Sequence, residues 1–340
     1  MERVLFLAHT GADGSLGKAA LEALSAAVEL AGGGGSLEAG LVGGTAAADA
    51  LAGCGTALVR AVTGPEFSVS RYGSDAEALA ALVQAGEPTL VVAAGTSRFS
   101  RVMPGVAQRL GGRLDTQITG IGMGDGGPQV QRWYYRQRMV ATLSRTTRPW
   151  FMLVATGTFP AWQATGTAPA VEPLAVTLTP GAVRTQVQGV ESASSGAETI
   201  RPDAALLFVA GAGWTKKQGD GQTHPREAEE LIRGFLDRTQ ASLGSSKSLV
   251  DQGSEGEAVL SFLSHLNQVG QTGATPRHPR GLSTCCHGEE PHVVGWRFVS
   301  ERRAINLDPN CGWSRGKADV LYVADAFAVI RRVNELLMLR

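Results

Sequence analysis

The stretch TLVVAA, residues Thr89–Ala94, decides the fold class of the first part of the chain. It contains no charged residue, which is typical of a central strand in a parallel sheet that is covered on both faces. Asp75–Ala85 precedes it with apolar residues at helical spacing, and Ser74 is the predicted N-cap of that helix. Ser100–Leu110 follows and is also predicted to be helical. A strand between two helices in this order indicates a doubly wound α/β sheet.

The flanking residues extend this alternation in both directions. Further strands are predicted at Val4–Ala8, Ser36–Val42 and Thr56–Val62, with a helix at Gly17–Ala31. After Gly111 the pattern changes, because strand-like runs follow one another with no helix between them. We expect an antiparallel extension of the sheet at Gln129–Trp133, Gln137–Leu143 and Trp150–Ala155.

A second alternation of strands and helices follows a polar segment that is poor in large apolar side chains, Gln188–Asp203. This segment predicts a domain boundary, with one domain at 1–190 and another at 203–340. Strands are predicted at Ala204–Val209, Ala241–Gly244, Gly281–Thr284, Ala304–Asn306 and Val320–Ala324, and helices at Arg226–Asp237 and Ala326–Leu339. The fold class is therefore α/β with two domains. Each is a doubly wound, mostly parallel sheet, and the first has an antiparallel extension.

Charge and hydropathy exclude several classes of protein. The 340 residues contain 31 Lys and Arg against 31 Asp and Glu, so no basic excess exists to bind nucleic acid. No stretch approaches the roughly 18 apolar residues that a membrane-spanning helix needs. The chain enters the apolar run Val4–Ala8 directly after Met-Glu-Arg, which predicts neither a signal peptide nor a transit peptide. We therefore expect a cytoplasmic protein.

Polar and glycine residues of the second domain fall at or just after the ends of predicted strands. They are Gly211, Ser246, Gln271, Thr272, Gly288, Asn306 and Asp325. In open parallel sheets, ligands bind along this edge, where loops and helix N-termini meet. Together these loops suit a large cofactor with phosphates and several rings. Taken singly, Ser246 is also a good helix N-cap, and Asn306 and Asp325 are also good capping or turn residues.

Several segments resemble a known family. NQVGQTG (Asn267–Gly273), AINLD (Ala304–Asp308) and ADVLYVADA (Ala318–Ala326) resemble, in order and spacing, the FAD-binding domain of electron-transfer flavoprotein α subunits. ASLGSSKSLVD (Ala241–Asp251) is similar to the Gly-x-Ser-Arg segment of that family. The first domain resembles the family in three stretches, Leu90–Leu110, Asp115–Gly120 and Tyr135–Thr142.

The resemblance implies a set of cofactor-binding residues. Ser246 and Lys247 would bind the FAD pyrophosphate, and Asn306 and Asp325 would bind the adenosine part. His292 would face the pyrimidine edge of the flavin. The residues that would wrap the flavin are Val269, Gly270, Gln271 and Thr272. Gly211, His287 and Gly288 complete the predicted set.

The same resemblance implies a function and partners. The chain would be the α-type subunit, paired as a heterodimer with a β-type subunit at its first domain. Its FAD would carry single electrons from flavoprotein dehydrogenases to a respiratory-chain acceptor such as a quinone oxidoreductase. Two alternatives remain open: a flavin-free scaffold or ligand-binding subunit, and a specialised flavoenzyme subunit whose loop at Cys285–His287 takes part in chemistry.

The chain departs from the family pattern at three places. Ala212 stands where the family has an arginine over the flavin, and Lys247 replaces the arginine of the Ser-Arg pair. The family segment that ends in Gln-His becomes Cys285–His292, in which only Gly288 and His292 persist. We expect other cations to compensate, with Lys216, Lys217, Arg277 and Arg280 as candidates. The cluster Cys285, Cys286, His287 and His292 does not predict a metal site, because adjacent cysteines are poor joint ligands.

Overall fold

A computed structural model describes most of the chain. The described residues are 1–124, 126–134, 139–189, 200–251, 260–269, 275–284, 299–309 and 318–339. The chain divides into two compact units, Met1–Glu191 and Ser192–Arg340. The predicted boundary segment Gln188–Asp203 lies largely outside the described residues.

The first unit contains a nine-stranded sheet within its described residues, in the order β7-β6-β5-β8-β4-β1-β2-β3-β9. All neighbours from β5 across to β9 are parallel, and β6 and β7 extend the sheet as antiparallel strands. The strands are β1 Arg3–His9, β2 Ser36–Gly43, β3 Leu58–Thr63, β4 Leu90–Ala94, β5 Arg113–Gly124, β6 Gly127–Tyr134, β7 Met139–Leu143, β8 Trp150–Val154 and β9 Val171–Pro173.

Helices cover both faces of this sheet, which is why its central strands are apolar throughout. The described helices of the unit are α1 Lys18–Gly32, α2 Pro65–Ser68, α3 Tyr72–Gly86 and α4 Ser97–Arg109. Side chains of β1 alternate between the two cores: Phe6 packs in the cluster that contains α1, and Leu7 packs in the cluster that contains α3 and α4. The predicted doubly wound arrangement of this unit is confirmed.

Two sequence predictions for this unit are wrong. Ser74 is not an N-cap: α3 begins at Tyr72, and the Ser74 hydroxyl accepts a hydrogen bond from Arg71 Nε at 3.2 Å inside the first turn. Trp150–Ala155 is not part of the antiparallel extension, because β8 lies parallel between β5 and β4. All five residues of β8 are buried, so its apolar run indicates a central parallel strand, as the apolar run of β4 does.

The second unit contains a parallel five-stranded sheet in its described residues, in the order β11-β10-β12-β13-β14. The strands are β10 Leu206–Ala210, β11 Ser242–Ser245, β12 His278–Thr284, β13 Val299–Asn306 and β14 Val320–Val323. The described α-helices are α5 Pro225–Thr239, α6 Lys247–Asp251 and α7 Ala326–Met338. Helices α5 and α7 share one core with Phe208, Trp214 and Ile305. The direction of winding changes between β10 and β12, which makes this point the topological switch of the sheet.

Candidate functional site

The loop after β10 is held at the switch point by hydrogen bonds to the end of β12. The Gly211 N–H donates to the Thr284 carbonyl at 2.8 Å. A 3₁₀ helix, Ala212–Trp214, follows, and the Trp214 indole N–H donates to the Thr284 hydroxyl at 2.8 Å. The loop that starts at Gly211 therefore has a defined direction across the carboxyl edge of the sheet.

Ala212 faces the core of the unit. It is 0% exposed and belongs to the apolar cluster that contains Phe208, Trp214 and Phe327. The Ala212 methyl group therefore packs into the core of the unit. The physical reason is the 3₁₀ turn, which directs residues 212 and 214 inward.

A cavity of about 150 Å³ lies beyond this loop, at the carboxyl ends of β13 and β14. It is smaller than the roughly 300–1,000 Å³ that encloses a whole ligand, so it suits one part of a larger molecule. Its lining, which is both apolar and polar, comes from three segments that are distant in sequence. They are Gly213 with 216–219, then 305–308, then 324–326.

Two predicted adenosine-binding residues meet in this cavity. Asn306 is 5% exposed, and its side-chain amide donates to the Asp308 carbonyl at 3.2 Å. The Asp325 carboxylate accepts the Phe327 N–H at 2.9 Å and caps α7. The capping and turn contacts that the sequence left open are thus present, and both side chains also line the cavity. Their binding role stays a prediction.

Lys216 and Lys217 line the same cavity from an ordered loop. The Gln218 side-chain amide donates to the Gly213 carbonyl at 3.0 Å and to the Lys216 carbonyl at 2.6 Å. Hydrogen bonds from the Gln222 N–H and, to a smaller extent, from the His224 ring lower the pKa of the Asp220 carboxyl group. These contacts close the loop, while both lysines remain exposed at its surface.

Three other predicted residues lie on the opposite side of β10. The Ser246 N–H donates to the Ala210 carbonyl at 2.8 Å, and its hydroxyl accepts the Leu249 N–H at 3.2 Å, as an N-cap of α6 does. Lys247 Nζ lies 3.5 Å from the Asp251 carboxylate. Val269 pairs with β11 through its N–H, which donates to the Ser245 carbonyl at 3.0 Å. The structure does not place these residues in the cavity with Asn306 and Asp325.

Two of the predicted compensating cations lie at the wrong edge of the sheet. Arg280 is level with Leu206 and Glu301, near the amino ends of the strands, and its Nε lies 3.6 Å from the Glu301 carboxylate. Arg277 precedes β12, and burial lowers its pKa to about 10. Neither belongs to the carboxyl edge. Six predicted site residues lie outside the described residues: Gly270, Gln271, Thr272, His287, Gly288 and His292.

Comparison with protein families identifies the first unit. The family described as the electron transfer flavoprotein domain matches residues 4–179, which is more than half of the chain. The chain belongs to the electron transfer flavoprotein family. Membership supports an electron-transfer flavoprotein role and agrees with the resemblance read from the sequence. A search of curated proteins finds no match.

The family match covers the first unit of this electron transfer flavoprotein family member, whereas the cavity lies in the second unit. In the described part of the chain, no helix is both long and apolar enough to cross a membrane.

The first unit contains a buried polar cluster that was not predicted from the sequence. His9 ends β1 and packs on the Phe99 ring at 4.4 Å between centroids, with Nε2 3.6 Å from the Asp75 carboxylate. Arg98 binds Asp75 through two hydrogen bonds of 2.9 and 2.6 Å. Burial lowers the pKa of His9. For Asp75 burial opposes ionisation, but the hydrogen bonds from Arg98 and the nearby His9 ring outweigh it and lower the pKa.

No short sequence motif signals this cluster, because its members come from β1, α3 and α4. Arg98 also donates to the carbonyls of Phe67 and Val69 at 3.1 and 3.0 Å. The donors of this guanidinium are therefore directed at groups of the protein itself. The arrangement is a structural clamp between helices, and we assign it no ligand.

Proposed function

We propose that this chain is the α-type subunit of an electron-transfer flavoprotein and binds FAD in its second unit. It carries single electrons from flavoprotein dehydrogenases to a respiratory-chain acceptor such as a quinone oxidoreductase. A β-type subunit completes the heterodimer, and the complex works in the cytoplasm. Membership in the electron transfer flavoprotein family supports the general role.

The observation that carries the cofactor proposal is the cavity at the carboxyl edge of the second sheet. It gathers Asn306, Asp308 and Asp325, whose carboxylate, carbonyl and amide groups suit the hydroxyl and amino groups of an adenosine. Lys216 and Lys217 line the same cavity with positive charge that suits phosphate. The donor set therefore fits the nucleotide half of FAD.

FAD supplies the redox chemistry when it is bound, since no side chain can carry single electrons as a flavin does. The chain's own residues bind and orient it. Asn306, at the carboxyl end of β13, and Asp325, just after β14, would bind the adenosine part of the cofactor. Gly213 is the first residue of its loop that lines the cavity. Because glycine has no side chain, a ligand can approach the backbone at this position.

The proposal is tested by co-expressing the chain with a β-type partner and recording the visible absorption spectrum, followed by flavin extraction. We expect close to one FAD per heterodimer. We expect Asp325→Asn, which weakens hydroxyl recognition at the cavity, to reduce FAD affinity about tenfold, or roughly 1.4 kcal/mol.

Asp319→Asn is the matched control. Asp319 immediately precedes β14, at the opposite end of that strand from Asp325, and pairs with Arg302. It removes one carboxylate without touching the cavity, so FAD content should not change. A folded, colourless heterodimer that takes up no added FAD would contradict the proposal.

A flavin-free ligand-binding subunit is the second candidate, and the burial of Ala212 favours it. The arginine that the family resemblance expects over the flavin has no counterpart at this position. Such a subunit would bind adenosine or ADP in calorimetry and leave FAD unbound.

A further inference from the structure

We propose that a groove beside α7 in the second unit binds an amphipathic monocarboxylate, a small molecule with one apolar chain and one carboxylate. This groove, called the α7 groove below, lies between α7 and the strands β10, β12, β13 and β14. Its volume of about 690 Å³ falls within the roughly 300–1,000 Å³ of sites that enclose a ligand. The proposal does not depend on a bound flavin.

The α7 groove is open because α7 leans away from the edge of the sheet. The Asn334 side-chain amide donates to the Leu231 carbonyl of α5 at 2.9 Å, and Arg331 pairs with Glu227 of the same helix. These contacts hold α7 against α5 and leave a gap over the last strands of the sheet. Tyr322 on β14, at the end of the strand order, is therefore 43% exposed.

The floor and one wall of the α7 groove are apolar. Leu206, Leu282 and Ile305 of three neighbouring strands form the floor. Val329 and Val333 are four residues apart on α7, so they share the side of the helix that forms the wall. An apolar chain that displaces water from these side chains should bind up to about fourfold more tightly for each methylene group that it buries.

The α7 groove also contains a cation that suits a carboxylate. The Arg303 guanidinium donates to the Tyr322 hydroxyl at 3.3 Å, and no carboxylate of the described residues pairs with it. Arg280 differs, because its Nε lies 3.6 Å from the Glu301 carboxylate. The lining thus has two guanidinium groups against one carboxylate. A ligand carboxylate can accept two N–H groups of Arg303 and the O–H of Tyr322.

The strand register gives the ligand a direction. Arg303 lies beside Val320, the first residue of β14, and the apolar floor continues from there to Ala324. Four residues of strand span about 13 Å. A carboxylate at Arg303 would therefore direct its chain toward Ala324 and Val329. Decanoate, whose extended chain has a similar length, is the probe.

The α7 groove and the nucleotide cavity are neighbours with different chemistry. Ile305 and Ala324 line both of them. The polar residues differ, since Asn306 and Asp325 belong to the nucleotide cavity and Arg303 to the α7 groove. A substitution at Arg303 should therefore leave nucleotide binding unchanged.

The test is calorimetric titration of the full chain with decanoate, hexanoate and decyltrimethylammonium. We expect decanoate to bind at least tenfold more tightly than hexanoate, and the cationic probe not to compete with it. R303Q should weaken decanoate binding at least tenfold. R302Q is the matched control: Arg302 is the next residue of β13 and pairs with Asp319, so its loss should change decanoate binding less than twofold.

The outcomes separate this inference from the proposed function. Decanoate binding that R303Q leaves intact, or that R302Q weakens equally, would overturn the assignment of the carboxylate to Arg303. A parallel loss of FAD and decanoate in R303Q would also contradict the proposal, since Arg303 would then belong to the nucleotide site. Decanoate that binds the isolated chain and not its heterodimer with a β-type partner would identify the α7 groove as a subunit interface. A wild type that binds decanoate but no FAD would contradict the proposed function alone.

Discussion

At the scale of single residues, His9 shows how burial changes a titrating side chain. Its ring is packed on Phe99 and lies close to Asp75, while Arg98 and Arg101 face the same carboxylate. Burial disfavours the charged imidazolium, and the two arginines add to this effect against the attraction of Asp75. The pKa of His9 is therefore lower in the folded chain than in the unfolded chain.

We expect this difference to make the free energy of unfolding depend on pH. Above the ordinary histidine pKa of about 6.5 both states hold His9 neutral, and its contribution to stability is complete. As pH falls below that value, the unfolded chain binds the proton first, so stability is lost until the pH passes the lower, folded pKa. His9→Gln should remove this loss.

The measurement is thermal unfolding of the wild type and the His9→Gln variant from pH 7.5 to pH 5. The wild type should lose more stability than the variant over this range. A difference between the two proteins that stays constant with pH would show that His9 does not titrate as argued.

At the scale of elements, Arg98 joins three segments of the first unit. Arg98 lies in the first turn of α4 and binds Asp75 in α3. It also donates hydrogen bonds to two backbone carbonyls, that of Phe67 within α2 and that of Val69 just after α2. Asp75 is 0% exposed. Removing one member of a buried ion pair leaves a charge without its partner, which is far more unfavourable than removing a surface pair.

Arg98→Met should therefore reduce the free energy of unfolding by about 3 kcal/mol, because it leaves the Asp75 carboxylate buried. Arg101→Met is the matched control: Arg101 lies 3.9 Å from the same carboxylate but is about half exposed, so its loss should be below about 1 kcal/mol. Urea unfolding of both variants measures the difference. Equal effects would mean that proximity to Asp75, and not burial, sets the strength of the interaction.

At the scale of the whole molecule, the family match and the cavity fall in different units. The family match covers the first unit, and the nucleotide cavity belongs to the second. A ligand stabilises the unit that binds it by mass action, which amounts to about 2.7 kcal/mol at a free ligand concentration of 100 times Kd. Binding should thus be visible as protection of one unit.

We expect FAD to slow hydrogen exchange at the backbone amides of β10, β13 and β14 and at residues 213–219. The amides of β1 and β4 in the first unit should change little. Exchange measured by mass spectrometry with and without saturating FAD tests this. Protection confined to the first unit would place the ligand there and overturn the proposed site.

Much of the fold follows from local pattern. The apolar run Leu90–Ala94, the helices on either side and the alternation in the second half all appear in the structure within a few residues of their predicted bounds. The position of β8 could not be predicted in this way, because an apolar run specifies burial but not which strands lie beside it. The Ser74 prediction was wrong because α3 begins at Tyr72, so Ser74 lies inside the first turn, where its hydroxyl accepts a hydrogen bond from Arg71.

The sequence alone determined the fold class, the two alternating halves and the polar residues at strand ends, because periodicity and turn chemistry are local properties of a chain. Only the tertiary structure decided which of those residues meet. Lys216 and Lys217 line the same cavity as Asn306 and Asp325. Arg280 lies at the opposite edge of the sheet, near the amino ends of the strands, and Ala212 lies in the core. These outcomes depend on strand order and on one 3₁₀ turn, and both are set by contacts between residues far apart in the sequence.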